Sequence, residues 1–272
     1  MVNIQKSIPN VLTIAGSDPC AGAGIQADIK TISACGCYAV SVITALTAQN
    51  TRGVSHIHRL PVSIVWKQLK ALADDTRINA VKIGMLPDTA IVENIVKAID
   101  QFSLGNIVLD PVMVSSSGKP LIDPAALVAL KSSLAPKATL ITPNLDEANI
   151  LLKETIHKEK LGHYTQKLAM TLGTSVLLKG GHLAGNTTTD TLFDIGTETL
   201  YSFKSERIKT KNLHGTGCTL SSSIASYLAS GHPLPEAVGL AKEYIQQAIV
   251  HARHLNAGSG NGPLHHFWKQ DF

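Results

Sequence analysis

Residues 11–46 read VLTIAGSDPCAGAGIQADIKTISACGCYAVSVITAL, and this stretch predicts the fold. The apolar runs at 11–15 and 40–46 are typical of buried strands, and residues 25–34 between them have the pattern of a helix. A strand, a helix and a second strand in this order predict a right-handed crossover between two parallel strands.

The same alternation continues along most of the chain. It predicts an α/β fold with a doubly wound, mainly parallel sheet and helices on both faces. The order breaks where residues 190–195 and 199–209 predict an antiparallel hairpin at one edge. The tail from Asn256 is expected on the surface. Further strands are predicted at 80–83, 107–109, 139–141 and 176–178, and helices at 62–72, 89–99, 124–134, 146–152, 164–172, 219–229 and 236–254.

Length and composition narrow the class of protein. No linker or repeat divides the 272 residues, so residues 1–272 are expected to form one domain. The net charge of +4 includes no basic run, so neither nucleic acid nor a membrane surface is an expected partner. The first residues lack the apolar core of a signal peptide, and the apolar run at 38–48 is too short to span a bilayer.

The four cysteines show neither a disulfide framework nor C-x-x-C spacing. They are therefore expected to be reduced thiols in a cytoplasmic protein.

Polar and glycine residues follow most of the predicted strands. The carboxyl ends of parallel strands meet at one edge of the sheet, where ligands bind, so a site is expected there. Neither G-x-G-x-x-G nor G-x-x-x-x-G-K-[ST] is present, which argues against a dinucleotide oxidoreductase and a P-loop enzyme. The residues at these strand ends are Gly16, Ser17, Asp18, Gly22, Gly24, Gln49, Asn50, Thr51, Gly84, Met85, Asp110, Pro111, Thr142, Pro143, Asn144 and Lys179 to His182.

Residues 214–221 read HGTGCTLS and open an apolar helix. A helix start offers free backbone N–H groups and a partial positive charge, which suit a phosphate or an oxyanion. Gly215 and Gly217 allow close approach of a ligand. The same field is expected to lower the pKa of Cys218, so that this thiol accepts a proton near neutral pH. The alternative is a capped helix with a buried cysteine.

Three charged residues allow two interpretations each. Asn144 and Glu147 fit a capping box, whereas Glu147 would also suit a hydrated Mg²⁺. Asp110 ends a strand before a proline, either as a turn former or facing the same metal. Lys179 is either a solvated lysine or a phosphate contact.

Three further residues are candidates for binding a ring. The amide of Gln49 donates and accepts together, which matches the edge of a heteroaromatic ring. Met85 either packs on that ring or fills the core. Asp28 either looks back from the first helix into the strand-end crevice or lies on an exposed helix face.

Nine segments carry a family resemblance, which extends from about residue 10 to the end. They are TIAGSDP at 13–19, GAGIQADIK at 22–30, SVITALTAQNTRG at 41–53, KIGM at 82–85, VLDPVM at 108–113, LITPNLDEA at 140–148, KGGH at 179–182, HGTGCT at 214–219 and GPLHHF at 262–267. Together they resemble the hydroxymethylpyrimidine/phosphomethylpyrimidine kinases of thiamine biosynthesis, in the ribokinase-like superfamily. The most specific element is the turn before Cys218, because most ribokinase-like sugar kinases have an aspartate there.

The resemblance implies a three-layer ribokinase-like fold and two ATP-dependent phosphorylations. The first acts on 4-amino-5-hydroxymethyl-2-methylpyrimidine and the second on its monophosphate. A homodimer is expected from the family. The resemblance also implies residue roles: Gln49, Asp28, Gly16 and Met85 for the pyrimidine, Cys218 as base, the backbone N–H groups of Gly215–Cys218 (with Gly215 and Gly217) for the transferring phosphoryl group, Asp110 and Glu147 for Mg²⁺, and Lys179 and Thr216 for the nucleotide.

One departure from the family concerns a lid segment. Many members have a lysine where this chain has Ser116, and Lys119 is the nearby alternative. Two rival functions remain from the sequence: a pyridoxal-type vitamin kinase of the same fold, and a non-catalytic sensor of nucleotides or thiamine precursors.

Overall fold

The computed structural model describes residues 7–114, 118, 120–181 and 186–270. The strands within these residues form one mixed sheet. The strands are β1 (Asn10–Ser17), β2 (Tyr38–Asn50), β3 (Gly53–Arg59), β4 (Ala80–Ile83), β5 (Ile107–Leu109), β6 (Leu140–Ile141), β7 (Ser175–Leu178), β8 (Thr187–Asp194) and β9 (Thr199–Glu206).

The order of strands in the sheet is β3-β2-β1-β4-β5-β6-β7-β8-β9. The six strands from β2 to β7 in this order pair in parallel, in a register where Val11 of β1 faces Ala39 of β2 and Ala80 of β4. Antiparallel strands close both edges, β3 on one side and the β8–β9 hairpin on the other. The parallel strands therefore end at one common edge.

Helices cover both faces of the sheet. Side chains of α2 to α6 pack with Leu12, Ile83 and Leu109 in one hydrophobic cluster. Side chains of α1, α7 and α8 pack with Val11, Ala80 and Val108 in a second cluster on the opposite face. The helices are α1 (Gly24–Ala34), α2 (Val62–Ala73), α3 (Thr89–Gln101), α4 (Pro124–Ala129, continued by a π turn over Leu130–Leu134), α5 (Leu145–Leu152), α6 (Leu161–Leu172), α7 (Thr216–Ala229) and α8 (Leu234–His251).

The predicted three-layer architecture and the β8–β9 edge hairpin are confirmed. The β2–β3 hairpin at the other edge was not predicted. Strand β2 extends past the predicted 40–46 as far as Asn50, and β3 has no apolar-polar alternation because most of its side chains are exposed or half-buried. Within the described ranges, no helix is long and apolar enough to cross a membrane.

The expectation of a surface tail from Asn256 is wrong. Leu264 and His266 are 2% and 3% exposed, and the His214 N–H donates to Gly262 O at 3.0 Å. The tail therefore packs against the loop that leads into α7.

Candidate active site

A cavity of about 350 Å³ lies at the carboxyl ends of the parallel strands. This is the location expected for a ligand site in an open α/β sheet. The cavity is lined by every predicted site residue except Asp28: Gly16, Gln49, Met85, Asp110, Glu147, Lys179, Gly215, Thr216, Gly217 and Cys218.

Helix α7 begins at the wall of this cavity. Gly215 is its N-cap, with φ +84°, and no side chain caps the first turn. A Cβ at Gly215 would lie 1.7 Å from Gly22 O, and one at Gly217 would lie 3.2 Å from Asp110 Oδ2. Gly215 therefore requires glycine, whereas a side chain at Gly217 would crowd the Asp110 carboxylate. The N–H groups of a first helical turn lack intrahelical partners, so this backbone can bind an anion.

The thiol of Cys218 lies beside two helix starts. Burial raises its pKa to about 11, while the charge of Lys82 and a hydrogen bond from the Gly24 N–H act in the opposite direction. Gly24 is the first residue of α1. The expectation of a lowered pKa is therefore wrong, because loss of hydration outweighs the favourable field. At neutral pH this thiol is therefore mostly protonated.

Asp110, Glu147 and Lys179 form the charged side of the cavity. Lys179 Nζ lies 3.1 Å from Asp110 Oδ1 and 3.9 Å from Glu147 Oε2. Burial raises the pKa of Glu147 to about 7; Lys179 lowers it and Asp110 raises it further. Burial lowers the pKa of Lys179, but the two carboxylates outweigh this and its pKa is raised. Two buried carboxylates beside one ammonium form an oxygen set that suits a hydrated divalent cation.

Glu147 forms the predicted capping box and also faces the cavity. Asn144 Oδ1 accepts from the Glu147 N–H at 2.8 Å, and Glu147 Oε2 accepts from the Asn144 N–H at 2.7 Å, which is a complete capping box of α5. The same carboxylate lines the cavity. The capping box therefore fixes the side chain that faces the site.

Asp28 is placed differently from both expectations. Its side chain is neither in the cavity nor on an exposed face, but fully buried beneath the site. Both carboxylate oxygens accept from Lys82 Nζ at 2.8 Å, and Thr13 and Ser222 donate to it at 2.6 and 2.7 Å. A buried charge requires a partner, and Lys82 in β4 supplies it. The carboxylate thus ties α1 to β4, β1 and α7.

Lys82 is a residue that sequence reasoning missed. Its stem is buried in β4, yet it also lines the cavity. The signal was available: a lysine inside the apolar strand 80–83 is almost never buried without an acidic partner.

The opposite side of the cavity carries a polar cluster around His214. His214 Nε2 lies 2.8 Å from Asp18 Oδ2 and 3.1 Å from Gln49 Nε2. Asp18, Cys20 and His214 also place three donor atoms within 4.8 Å of one another. The Asp18 oxygens already accept hydrogen bonds from the backbone of Cys20, Gly22 and Ala23. The cluster is therefore organised around hydrogen bonds.

Apolar side chains complete the space next to Gln49. Met85, Val54 and Leu213 line the cavity here. A Cβ at Gly16 would lie 3.0 Å from Met85 Sδ, so glycine leaves room for this sulfur. An apolar slot closed by one amide suits a flat polar ring.

A family model described as phosphomethylpyrimidine kinase matches residues 18–265. The chain belongs to the phosphomethylpyrimidine kinase family. This match confirms the predicted family and, with the solved structure below, the ribokinase-like fold. The predicted lid residues Ser116 and Lys119, and the strand-end residue His182, lie outside the described residues.

Three proteins illustrate the similarity to this phosphomethylpyrimidine kinase family member. The hydroxymethylpyrimidine/phosphomethylpyrimidine kinase of Escherichia coli K12 is 46% identical, over 95% of this chain and 97% of that protein. The thiamine biosynthesis bifunctional protein of Geobacter sulfurreducens is 47% identical, over 94% of this chain and 52% of its own length. A solved ADP complex of pyridoxal kinase from Bacillus subtilis is 35% identical, covers 96% of this chain and 98% of its own, and has a TM-score of 0.85.

Proposed function

We propose that this phosphomethylpyrimidine kinase family member transfers a phosphoryl group from ATP to 4-amino-5-hydroxymethyl-2-methylpyrimidine, and then a second one to the resulting monophosphate, in thiamine biosynthesis. The observation that carries the proposal is the position of Gly217. Its Cβ position lies 3.2 Å from Asp110 Oδ2 and 3.4 Å from Lys179 Nζ. A helix start, a carboxylate and a lysine thus meet at one point, as phosphoryl transfer requires.

The pyrimidine is assigned to the slot beside Gln49. Its ring would pack on Met85, close to Gly16, and its amino and ring-nitrogen edge would face the amide of Gln49. In this pose the hydroxymethyl group points to Cys218 and the start of α7. Asp28 is assigned a supporting role, because it holds Lys82 from below at 2.8 Å.

ATP and Mg²⁺ are assigned to the charged side of the cavity. Asp110 and Glu147 would hold Mg²⁺, whose charge would offset the negative charge of the phosphates. Lys179 and Thr216 also line the cavity, and the solved ADP complex of the B. subtilis relative supports binding of a nucleotide by this fold. The site fits a cation because Lys179 supplies only one positive charge to the two carboxyl groups of Asp110 and Glu147.

Cys218 is assigned the role of base. Its thiolate form accepts the hydroxyl proton as the oxygen forms its bond to phosphorus and the bond from phosphorus to the leaving ADP breaks. Alignment and charge stabilisation supply most of the acceleration in phosphoryl transfer, so a weakly ionised thiol at the right place suffices. A neutral thiol also repels a phosphorylated second substrate less than a carboxylate would. If Cys218→Asp makes the diphosphate as fast as the monophosphate, this explanation of the cysteine is wrong.

The cellular setting is part of the same proposal. All four cysteines are free thiols, which supports a reducing compartment such as the cytoplasm. The chain is proposed to act as one kinase domain over residues 1–272 and as a homodimer. Leu46 of β2 pairs with His58 of the edge strand β3 and is 44% exposed. A second copy of the chain could cover this exposed leucine.

Pyridoxal phosphorylation is the second candidate function, since a pyridoxal kinase is among the similar structures. The test is to incubate the full chain with ATP and Mg²⁺ and with each of three substrates: the hydroxymethylpyrimidine, its monophosphate and pyridoxal. Phosphorylated products are then identified by mass spectrometry. The proposal predicts the monophosphate and the diphosphate of the pyrimidine. Turnover of pyridoxal alone would replace it with a pyridoxal kinase, and no product from any substrate would favour a sensor.

A further inference from the structure

The polar cluster of the cavity is a chain of four contacts that ends at the backbone. Asp18 Oδ2 lies 2.8 Å from His214 Nε2, which lies 3.1 Å from the Gln49 amide. The other end of that amide lies 3.2 Å from Thr47 Oγ1, and this hydroxyl donates to Ser17 O at 2.8 Å. Each group in the chain can donate at most two hydrogen atoms. The donor and acceptor in one hydrogen bond therefore determine the donor and acceptor in the next.

Asp18 determines the direction at its end of the chain. Its Oδ1 accepts from the Cys20 N–H at 3.0 Å, and its Oδ2 accepts from the Ala23 N–H at 2.8 Å and the Gly22 N–H at 3.2 Å. Burial raises the pKa of Asp18, but the hydrogen bonds to His214, Cys20 and Ala23 outweigh it and the pKa is lowered. The carboxylate is therefore ionised and only accepts, so His214 Nε2 must carry a hydrogen and donate.

This hydrogen decides which end of the Gln49 amide faces His214. The Nε2–H of His214 cannot pair with an amide NH₂, because both groups are donors. With the amide oxygen turned toward His214, the ring donates to Asp18 and to Gln49 together. The amide NH₂ then donates to Thr47 Oγ1, whose own hydrogen goes to Ser17 O. Every group in the chain is satisfied in this arrangement, and glutamine orientation is assigned by such networks.

We propose that Asp18 and His214 are positioning residues that lock the Gln49 amide with its oxygen toward His214, and thereby select the ring edge that the site accepts. The locked amide still has one oxygen lone pair and one N–H to offer to a ligand. It pairs with a ring edge that presents an amino group beside an unprotonated nitrogen. It opposes the corresponding oxo ring, whose carbonyl and N–H present the reverse order. This inference rests on the proposed function for the identity of the ring.

The test compares two ligands that differ only at that edge: 4-amino-5-hydroxymethyl-2-methylpyrimidine and its 4-oxo analogue. Their dissociation constants are measured by calorimetry on the full chain, without nucleotide. The wild type is expected to prefer the amino ring by about 100-fold or more, because unpaired polar groups in a site built for hydrogen bonds are strongly rejected.

Three variants distinguish a role of His214 in orienting the Gln49 amide from a purely structural role of His214. His214→Leu removes the donor and frees the amide, so affinity for the oxo ring is expected to rise and the preference to fall to about tenfold or less. His214→Gln can place an N–H near the same point and is expected to restore most of the preference. Gln49→Ala is expected to weaken binding of the amino ring and to abolish the preference without a gain for the oxo ring. If His214 had only a structural role, His214→Leu would bind both the amino ring and the oxo ring more weakly.

A second measurement needs no ligand. Long-range ¹H–¹⁵N correlation spectra of the wild type report which ring nitrogen of His214 carries the hydrogen, and the proposal requires Nε2. A ring protonated only at Nδ1, or an unchanged preference in a folded His214→Leu variant, overturns the locked amide while the kinase proposal stands. A wild type that binds neither ring contradicts the proposed function instead, and the tautomer then decides the hydrogen-bond chain separately.

Discussion

At the scale of single residues, the absence of a side chain at Gly215 allows the start of α7 to pack against Gly22 at the cavity wall. Its φ of +84° and the 1.7 Å from its Cβ position to Gly22 O leave no room for a side chain. Gly215→Ala is therefore expected to lower the free energy of unfolding by at least about 3 kcal/mol and to abolish phosphoryl transfer. Urea denaturation and steady-state kinetics measure the two effects.

Gly36 is a matched control for this substitution. Its φ is +82°, but nothing lies within 4 Å of its Cβ position. Gly36→Ala is expected to cost about 1 kcal/mol, the cost of a left-handed backbone alone, with normal kinetics. Equal losses of stability in the two variants would show that the contact with Gly22 is unimportant.

Glu147 makes stability depend on pH. Its pKa is raised from 4.5 to about 7 in the folded chain, first by burial and then by Asp110, with Lys179 acting oppositely. The folded state therefore holds a proton that the unfolded state has lost. The stability from this proton is complete below pH 4.5 and is lost as pH rises to about 7, by an amount on the order of 3 kcal/mol.

Urea unfolding of wild type and Glu147→Gln across this pH range, without divalent ions, measures the effect. Burial lowers the pKa of His266 to about 3, which adds the same opposite pH dependence to both proteins, so the effect of Glu147 is the difference between them. The stability of the wild type relative to Glu147→Gln is expected to fall as pH rises from 4.5 to about 7. Adding Mg²⁺ at pH 7 is expected to stabilise the wild type much more than Glu147→Gln, because the cation offsets the ionised carboxylate. Equal stabilisation of both proteins would show that Glu147 does not bind Mg²⁺.

The sequence identified which residues line the cavity better than it identified their charge states. Residues at the ends of strands were found because parallel strands end at one edge, and ten of the proposed residues converge there. The raised pKa of Cys218 was not predictable, because it depends on how much water the folded site excludes. The Asp28–Lys82 pair joins residues far apart in sequence, and spacing gives no information about such a contact.

At the scale of elements, the capping box of α5 couples helix stability to the charged side of the cavity. Asn144→Ala removes the acceptor of the Glu147 N–H and loosens the carboxylate that bonds back to the Asn144 N–H. The expected cost is about 1 kcal/mol of stability and a roughly tenfold rise in the KM for MgATP.

Asp88 caps α3 through the same type of bond, accepting from the Ile91 N–H at 3.0 Å, and does not line the cavity. Asp88→Ala is expected to cost a similar amount of stability without changing the KM for MgATP. Thermal unfolding and nucleotide titration compare the two caps. An unchanged KM in Asn144→Ala would mean that the cap and the nucleotide site are independent.

The elements themselves were predictable where hydrophobic periodicity is strong. Strands β4 and β5 match their predicted bounds, and most helices start within three residues of theirs. Strand β3 was missed because an edge strand with exposed side chains has no buried face to leave a pattern.

At the scale of the whole molecule, the tail after Asn256 packs against the loop before α7 and so stabilises the site. Leu264 is 2% exposed in the cluster beneath α7, two residues after Gly262, which accepts from the His214 N–H. Leu264→Ala is expected to lower the free energy of unfolding by about 2–5 kcal/mol and to raise the KM for the pyrimidine, because the His214 loop loses its support.

Leu69→Ala is the control, since Leu69 of α2 is 1% exposed in the opposite hydrophobic cluster. A similar loss of stability is expected there with an unchanged KM for the pyrimidine. The same rise in KM in both variants would show that the tail has no specific role. The buried tail was not predictable, because its composition of Gly, Ser and His is that of a surface segment.

The measurement that tests the account most directly is the kcat of Cys218→Ala with the hydroxymethylpyrimidine, ATP and Mg²⁺, beside Cys35→Ala. Cys35 is a thiol at the far end of α1 from Gly24. Removal of a general base predicts a fall in kcat of about 10²–10⁴-fold for Cys218→Ala at unchanged melting temperature, and a normal kcat for Cys35→Ala. A wild-type kcat in a folded Cys218→Ala protein would contradict the assignment of the thiol as base.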